Sequence, residues 1–134
     1  MIMFDETVRA FLEKPLIARL SVNGTDGYPH TVPLWFMRDS DDIVIISDRK
    51  TKKVRLIEQN PKGSIIIGGE PNDGAGYLIK GDLRIEADQD RHWLKTVTYR
   101  YESGAQADKD IAEWSQWDMI VIRLTPNAVV KVWG

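Results

Sequence analysis

Apolar side chains recur at Phe4, Val8, Phe11 and Leu12 with helical spacing, and Pro15 must end the run, which predicts a short amphipathic lid helix over residues 4–13. Alternation follows over residues 16–22, with Leu16, Ala18, Leu20 and Val22 on one face and Arg19 and Ser21 on the other. Asn23-Gly24-Thr25-Asp26-Gly27 supplies hairpin turn chemistry. The partner strand, residues 28–37, carries Pro29 and Pro33, which remove ladder donors and demand an edge, a bulge or an interruption. Residues 38–42 read as a polar turn before the apolar run Ile43-Val44-Ile45-Ile46, and residues 64–67 as a short central strand apolar on both faces.

Gly68 to Gly74 read as a loop, followed by a long strand. Tyr77, Ile79, Leu83, Ile85 and Ala87 are expected inward, with Gly81 marking a bulge or a barrel corner. Helical period returns over residues 90–101, with Asp90 as the expected cap and Trp93, Val97 and Tyr101 four residues apart. Residues 103–107 break it and residues 108–117 form a second short helix. Two closing strands, 119–124 and 128–133, are joined through Thr125-Pro126-Asn127. The order is mainly β with helices inserted at a few points, which predicts one small β-barrel domain over residues 1–134 rather than a parallel α/β sheet.

A net charge of −2 and 43% hydrophobic residues describe an ordinary globular chain and disfavour a nucleic-acid binder. The absence of cysteine removes thiolate metal sites and cysteine nucleophiles. No apolar run reaches a membrane span and the first residues lack signal-peptide character, so the expectation is a cytoplasmic protein without a membrane partner. His30 and His92 are too few and too far apart for a metal site, and no catalytic triad pattern occurs. Trp35, Trp93 and Trp133 fit core positions; Trp114 and Trp117 fall in a polar stretch and fit helix packing, stacking on a ring ligand or lining a dimer site.

The basic cluster is therefore local, and the stretch Ser47-Asp48-Arg49-Lys50-Thr51-Lys52-Lys53-Val54-Arg55 carries most of it. It joins a buried strand to a short helix that ends at Asn60-Pro61, with Thr51 as a plausible N-cap. Cations at a helix N-terminus oppose the macrodipole, and an anion relieves that conflict. Backbone N–H groups, the Thr51 hydroxyl and converging Lys or Arg side chains all donate, which is the chemistry of a phosphate cradle. A solvated basic turn is the competing reading.

The Gly27-Tyr28-Pro29-His30-Thr31-Val32-Pro33-Leu34-Trp35-Phe36 strand, the element from Ser47 to Asn60-Pro61, and the strand from Gly76-Tyr77 to Gly81 together resemble the flavin-binding split-barrel family related to pyridoxamine 5′-phosphate oxidase. The resemblance covers nearly the whole chain. It implies that Thr51, Lys52 and Lys53 hold the phosphate of FMN, that Ser47 is a strand-end hydroxyl near the flavin, and that Thr31, Val32, Pro33 and Leu34 face phosphate and isoalloxazine ring. It also implies a homodimer with flavins bound across the interface, in which the cofactor supplies hydride transfer and the protein supplies orientation. A nicotinamide cofactor or a small organic molecule would be the substrate. The chain lacks the family's C-terminal substrate-phosphate signature, since Arg123-Leu124-Thr125-Pro126 is followed by another strand, which argues against vitamin B6 oxidation. A deazaflavin coenzyme in place of FMN, and a non-catalytic flavin carrier or sensor, remain alternatives within the same fold.

Overall fold

A computed structural model describes residues 3–134. In chain order they form α1 (Glu6–Leu12), β1 (Ala18–Asn23), β2 (Pro29–Leu34), β3 (Met37–Asp39), β4 (Asp42–Asp48), α2 (Lys52–Gln59) and β5 (Lys62–Gly68). Then come β6 (Gly76–Ala87), α3 (His92–Tyr101), α4 (Gly104–Trp114) and β7 (Met119–Trp133). The strands pair antiparallel in one sheet of order β2-β1-β5-β6-β7-β4-β3. β2 and β3, consecutive in the chain, are thus the two opposite edges. Seven strands laid flat would span roughly 29 Å at ~4.8 Å per pair, yet only Trp35 and Phe36 separate Leu34 from Met37, a link of at most about 11 Å. The sheet must roll until its edges nearly meet, giving the mainly β barrel that the residue pattern anticipates, left unclosed like the split barrel that the resemblance implies.

Alternation decides what the roll encloses. Leu20, Ile65, Ile79 and Ile122 fill the interior, joined by Phe11 and Leu12 of α1 and by Val54, Leu56 and Ile57 of α2. The opposite face of β4 and β7 is covered as well. Val44 and Val121 are buried there, and α3 packs on β4 with Leu94 and Val97 buried on α3. Phe36, fully buried, is held by the end of α3: Tyr101 Oη accepts from Phe36 N (3.2 Å) and donates to the Leu16 carbonyl (2.6 Å). The Arg100 guanidinium donates to the carbonyls of Phe36, Glu13, Leu12 and Lys14 at 2.7–3.0 Å, closing the C-terminus of α1 and the edge-to-edge link together.

Several sequence expectations need correction. The closing pair of strands is one strand: Gly81 faces Pro126 and Lys80 faces Ala128, so Asn127 is a bulge that lets the strand pass through a proline. Gly81 is required there, because a Cβ would lie 2.2 Å from the Thr125 carbonyl oxygen. Residues 28–37 are not one strand but break at Trp35-Phe36, and Met37–Asp39, partly expected as turn, pairs with β4 as an edge. Asp90 does not cap α3; it and Arg91 take left-handed conformations, and the Asp88 carboxylate receives the N–H groups of Trp93 and Leu94, both at 2.9 Å. α4 begins at Gly104 instead of 108, because Ser103-Gly104 serves as a helix entry where it reads as a breaker. Ala87 is exposed, and Trp133 is 44% exposed rather than core, since both lie at the open ends of their strands. Ile66, on the outward face of β5, is exposed too.

The four-carbonyl clasp at Arg100 generates a stability prediction. Arg100→Lys keeps the charge but cannot spread donors over four carbonyls, and should cost about 2–3 kcal/mol in urea unfolding; Tyr101→Phe should cost about 1 kcal/mol. An Arg100→Lys protein as stable as the parent would show that the edge link holds itself.

Candidate functional site

The cradle expected at the start of α2 is built from three side chains in contact. Ser47 ends β4 facing inward, paired with Ile120, and its Oγ lies 3.2 Å from Thr51 Oγ1. The Lys53 ammonium donates to the same Thr51 oxygen at 3.4 Å. Thr51 occupies the N-cap position with extended backbone, but its hydroxyl makes no capping bond to the helix; it donates to the Asp48 carbonyl instead. The first turn holds no acidic residue, and the N–H groups of Lys52, Lys53 and Val54 have no acceptor within the helix. The Ser47 hydroxyl also donates to the Asp48 carbonyl, at 3.0 Å, so what the cluster leaves unspent is the Lys53 ammonium and the amides of the first turn.

The five cations of the stretch divide sharply. Arg49 is bound to Asp118 at 2.8 Å, and Arg55 donates to the Lys50 carbonyl at 3.3 Å. Lys50 and Lys52 are exposed. Lys53 alone is half-buried, and that burial pulls its pKa below the ordinary lysine value, with the Asp48 charge offsetting part of the shift. A desolvated ammonium beside two hydroxyls and unpaired amides fits a phosphate monoester.

The residues expected on β2 fall on two faces. Val32 and Leu34 pack inward against the core. Thr31 and Pro33 are exposed on the outside, where Thr31 Oγ1 lies 2.9 Å from Ser21 Oγ. Within the protomer no hydrogen bond among the described residues joins them to Ser47, Thr51, Lys52 or Lys53. Leu34 does reach a second feature, a cavity of about 400 Å³ bounded also by Trp35, Ile46 and Met119 and by Trp114 and Trp117. Ile46 neighbours Ser47, so cradle and cavity lie on opposite faces of the same strand end. The cavity's tryptophan wall escaped sequence reasoning in part. Trp35 was expected in the core, yet it is half-buried and stacks on Tyr101 (4.8 Å between centroids, 3° apart) with Trp114 edge-on at 6.0 Å.

Comparison with known proteins is consistent with this geometry. The family model for pyridoxamine 5′-phosphate oxidase matches residues 4–132. No curated protein sequence matches the chain. Among solved structures, an F420 reductase superposes with a TM-score of 0.78 at 23% identity, over 95% of this chain and 98% of its own. A candidate pyridoxamine 5′-phosphate oxidase from Listeria innocua gives 0.74 at 19%, over 95% and 96%. An FAD-binding protein from Mesorhizobium loti gives 0.63 at 19%, over 96% and 94%. At these identities the structures share the fold.

The half-buried lysine has a consequence that needs no ligand. A lysine whose folded pKa lies below its unfolded value destabilises the fold while charged, and the penalty is relieved as pH rises through the folded pKa towards the unfolded one. Lys53→Met, which keeps the aliphatic stem, should therefore melt at or above the parent temperature at pH 7. The difference should shrink as pH is raised through the lysine range. A lower melting temperature at pH 7 would mean that the ammonium is already satisfied by Thr51 and Asp48.

Proposed function

Given that the chain belongs to the pyridoxamine 5′-phosphate oxidase family, we propose that it binds FMN through the α2 cradle and acts as a small flavin-dependent oxidoreductase. The observation that carries this reading is the Lys53 ammonium, desolvated and donating to Thr51, itself in contact with Ser47, at a helix N-terminus whose first turn holds no acidic residue. Thr51, Lys53 and Ser47 would hold the phosphate, with Lys52 screening it from solvent. When bound, the flavin supplies hydride and electron transfer, and the protein's part is to fix and shield it.

A homodimer completes the proposal. Register places Pro33, Arg19, Ile66, Leu78 and Val130 in one outward row across β2, β1, β5, β6 and β7. Ile66 and Val130 are exposed there, with Val132 and Trp133 beyond them. Ile66, Leu78 and Val130 make three neighbouring strands of this row apolar, with Arg19 between them and Pro33, and an apolar strip on a sheet face suits a partner sheet. A second copy laid on it also explains why Thr31 and Pro33 point outward: they would meet a flavin shared between subunits. The fold likeness to an F420 reductase supports a second reading, in which the same cradle holds the phosphate of a deazaflavin coenzyme.

Hydrogen bonds to charged groups contribute roughly 1.5–3 kcal/mol, so Lys53→Ala should weaken FMN binding by about 10- to 100-fold. Riboflavin, lacking the phosphate, should bind the parent weakly and the variant no worse. Lys50→Ala should change FMN affinity by well under ~1 kcal/mol. Equal affinity of the parent for FMN and riboflavin would remove the cradle assignment, and tight deazaflavin coenzyme binding without FMN binding would promote the second reading. For the dimer, sedimentation of the FMN-bound protein at micromolar concentration should give two chains per particle, and Ile66→Asp should give one. A parent that sediments as a monomer with flavin bound excludes the shared site.

A further inference from the structure

The cavity beside Leu34 has walls of one chemical kind and polar groups of one sign. Its apolar surface comes from Leu34, Ile46 and Met119, and its aromatic surface from Trp35, Trp114 and Trp117, the last half-exposed. The polar side chains that line it are Glu102 and Asp110, with no cation among the lining residues. Its volume, about 400 Å³, suits a one- or two-ring molecule.

Trp35 is fixed rather than adaptable. Its ring lies parallel on Tyr101, whose hydroxyl is tied to the Leu16 carbonyl, and Trp114 meets it edge-on. Rigid indole faces favour a flat ligand, and their quadrupoles favour a positive one. The acidic pair points the same way. Glu102 Oε1 is buried without a hydrogen-bond partner among the described residues, an acceptor that a ligand N–H would satisfy. The Asp110 carboxylate beside it, and then burial, push the Glu102 pKa up. Hydrogen bonds from Gln106 and from Glu102 outweigh burial and hold Asp110 down, with Lys109 adding to that effect. The two shifts run in opposite directions, so Asp110 is the stronger acid of the pair and Glu102 the weaker.

We propose that this cavity is the substrate pocket and that it selects a flat aromatic cation, a pyridinium or a protonated heteroaromatic amine, between the indole faces and the Glu102–Asp110 pair. The assignment of the ligand as substrate rests on the flavin reading, since the cavity and the cradle share the end of β4; the cation selectivity rests on the cavity itself.

The probes are the N-methylnicotinamide cation, methylated on the ring nitrogen, and neutral nicotinamide, the same ring without the charge. Each is titrated by quenching of tryptophan fluorescence, with and without FMN, and FMN affinity is measured separately. The cation should bind the parent about 10-fold more tightly than nicotinamide. Asp110→Asn should bring the ratio close to one with FMN affinity unchanged, and Glu102→Gln, which keeps an acceptor in the cavity, should lower it less. Trp117→Ala should weaken both probes. Equal affinities in the parent, or a ratio that survives Asp110→Asn, overturn the proposal while leaving the flavin reading intact. Selective cation binding by a protein that takes up no flavin overturns the assignment as substrate, and then it is the flavin reading that has failed.

Discussion

The edges of the sheet are tied together by two residues, and much of the architecture answers to that. Because Trp35 and Phe36 must carry the chain from one edge strand to the other, the barrel has to roll, but it cannot zip: Pro29 and Pro33 remove donors from β2, and β3 is only three residues long. What substitutes for ladder hydrogen bonds across the split is a set of side chains. Phe36 is buried as an anchor, and Arg100 and Tyr101 reach across from α3 to its backbone and to the end of α1. A guanidinium is suited to this, since one rigid planar group can serve four carbonyls that converge from two segments. The split also leaves Trp35 beside it half-buried, and so the aromatic cavity arises at the place where the sheet fails to close.

Much of this was legible before any coordinates. Period-two alternation located β1 and β6, and the two prolines of β2 marked an interrupted edge because their missing donors exclude a central place. Gly81 announced the bulge. What escaped was set by contacts distant in sequence. A Pro-Asn pair reads as a turn locally, yet here β6 supplies a glycine opposite Pro126, and the strand continues through it. The cap of α3 was misplaced by two residues because Asp88 and Asp90 are equivalent as residue types; only the left-handed turn at Asp90-Arg91 decides between them. Trp133 has an apolar side chain at an alternating position, and alternation cannot say that a strand has run past the edge of its core.

The site divides in the same way. Charge at a helix start is a local property, so the conflict between five cations and the macrodipole could be read from residues 47–55 alone. Which cation matters could not, because Asp118, 69 positions from Arg49, takes that arginine out of the cluster. Burial then singles out Lys53. On β2, the quartet from Thr31 to Leu34 is contiguous in sequence but alternates between faces, so one protomer cannot present all four to one ligand from one side. Under the shared-site proposal the outward pair, Thr31 and Pro33, would act on a ligand held beneath a second surface.

That alternation also separates the basic cluster from the aromatic cavity. Ser47 faces inward to the cradle and Ile46 outward to the cavity, so a single strand end is a wall of both. The remaining parts come from different stretches: the cradle is completed by the next few residues, whereas the cavity is completed by α3, α4 and the turn into β7, all inserted between the two longest strands. Those strands are paired along their full length, so the barrel does not depend on the insertion for its register. Its two contributions are then of different kinds. Arg100 and Tyr101 brace the split, where substitution costs stability. Glu102, Asp110, Trp114 and Trp117 face the cavity and make none of the brace's hydrogen bonds, so the lining of the cavity can change without loosening the split.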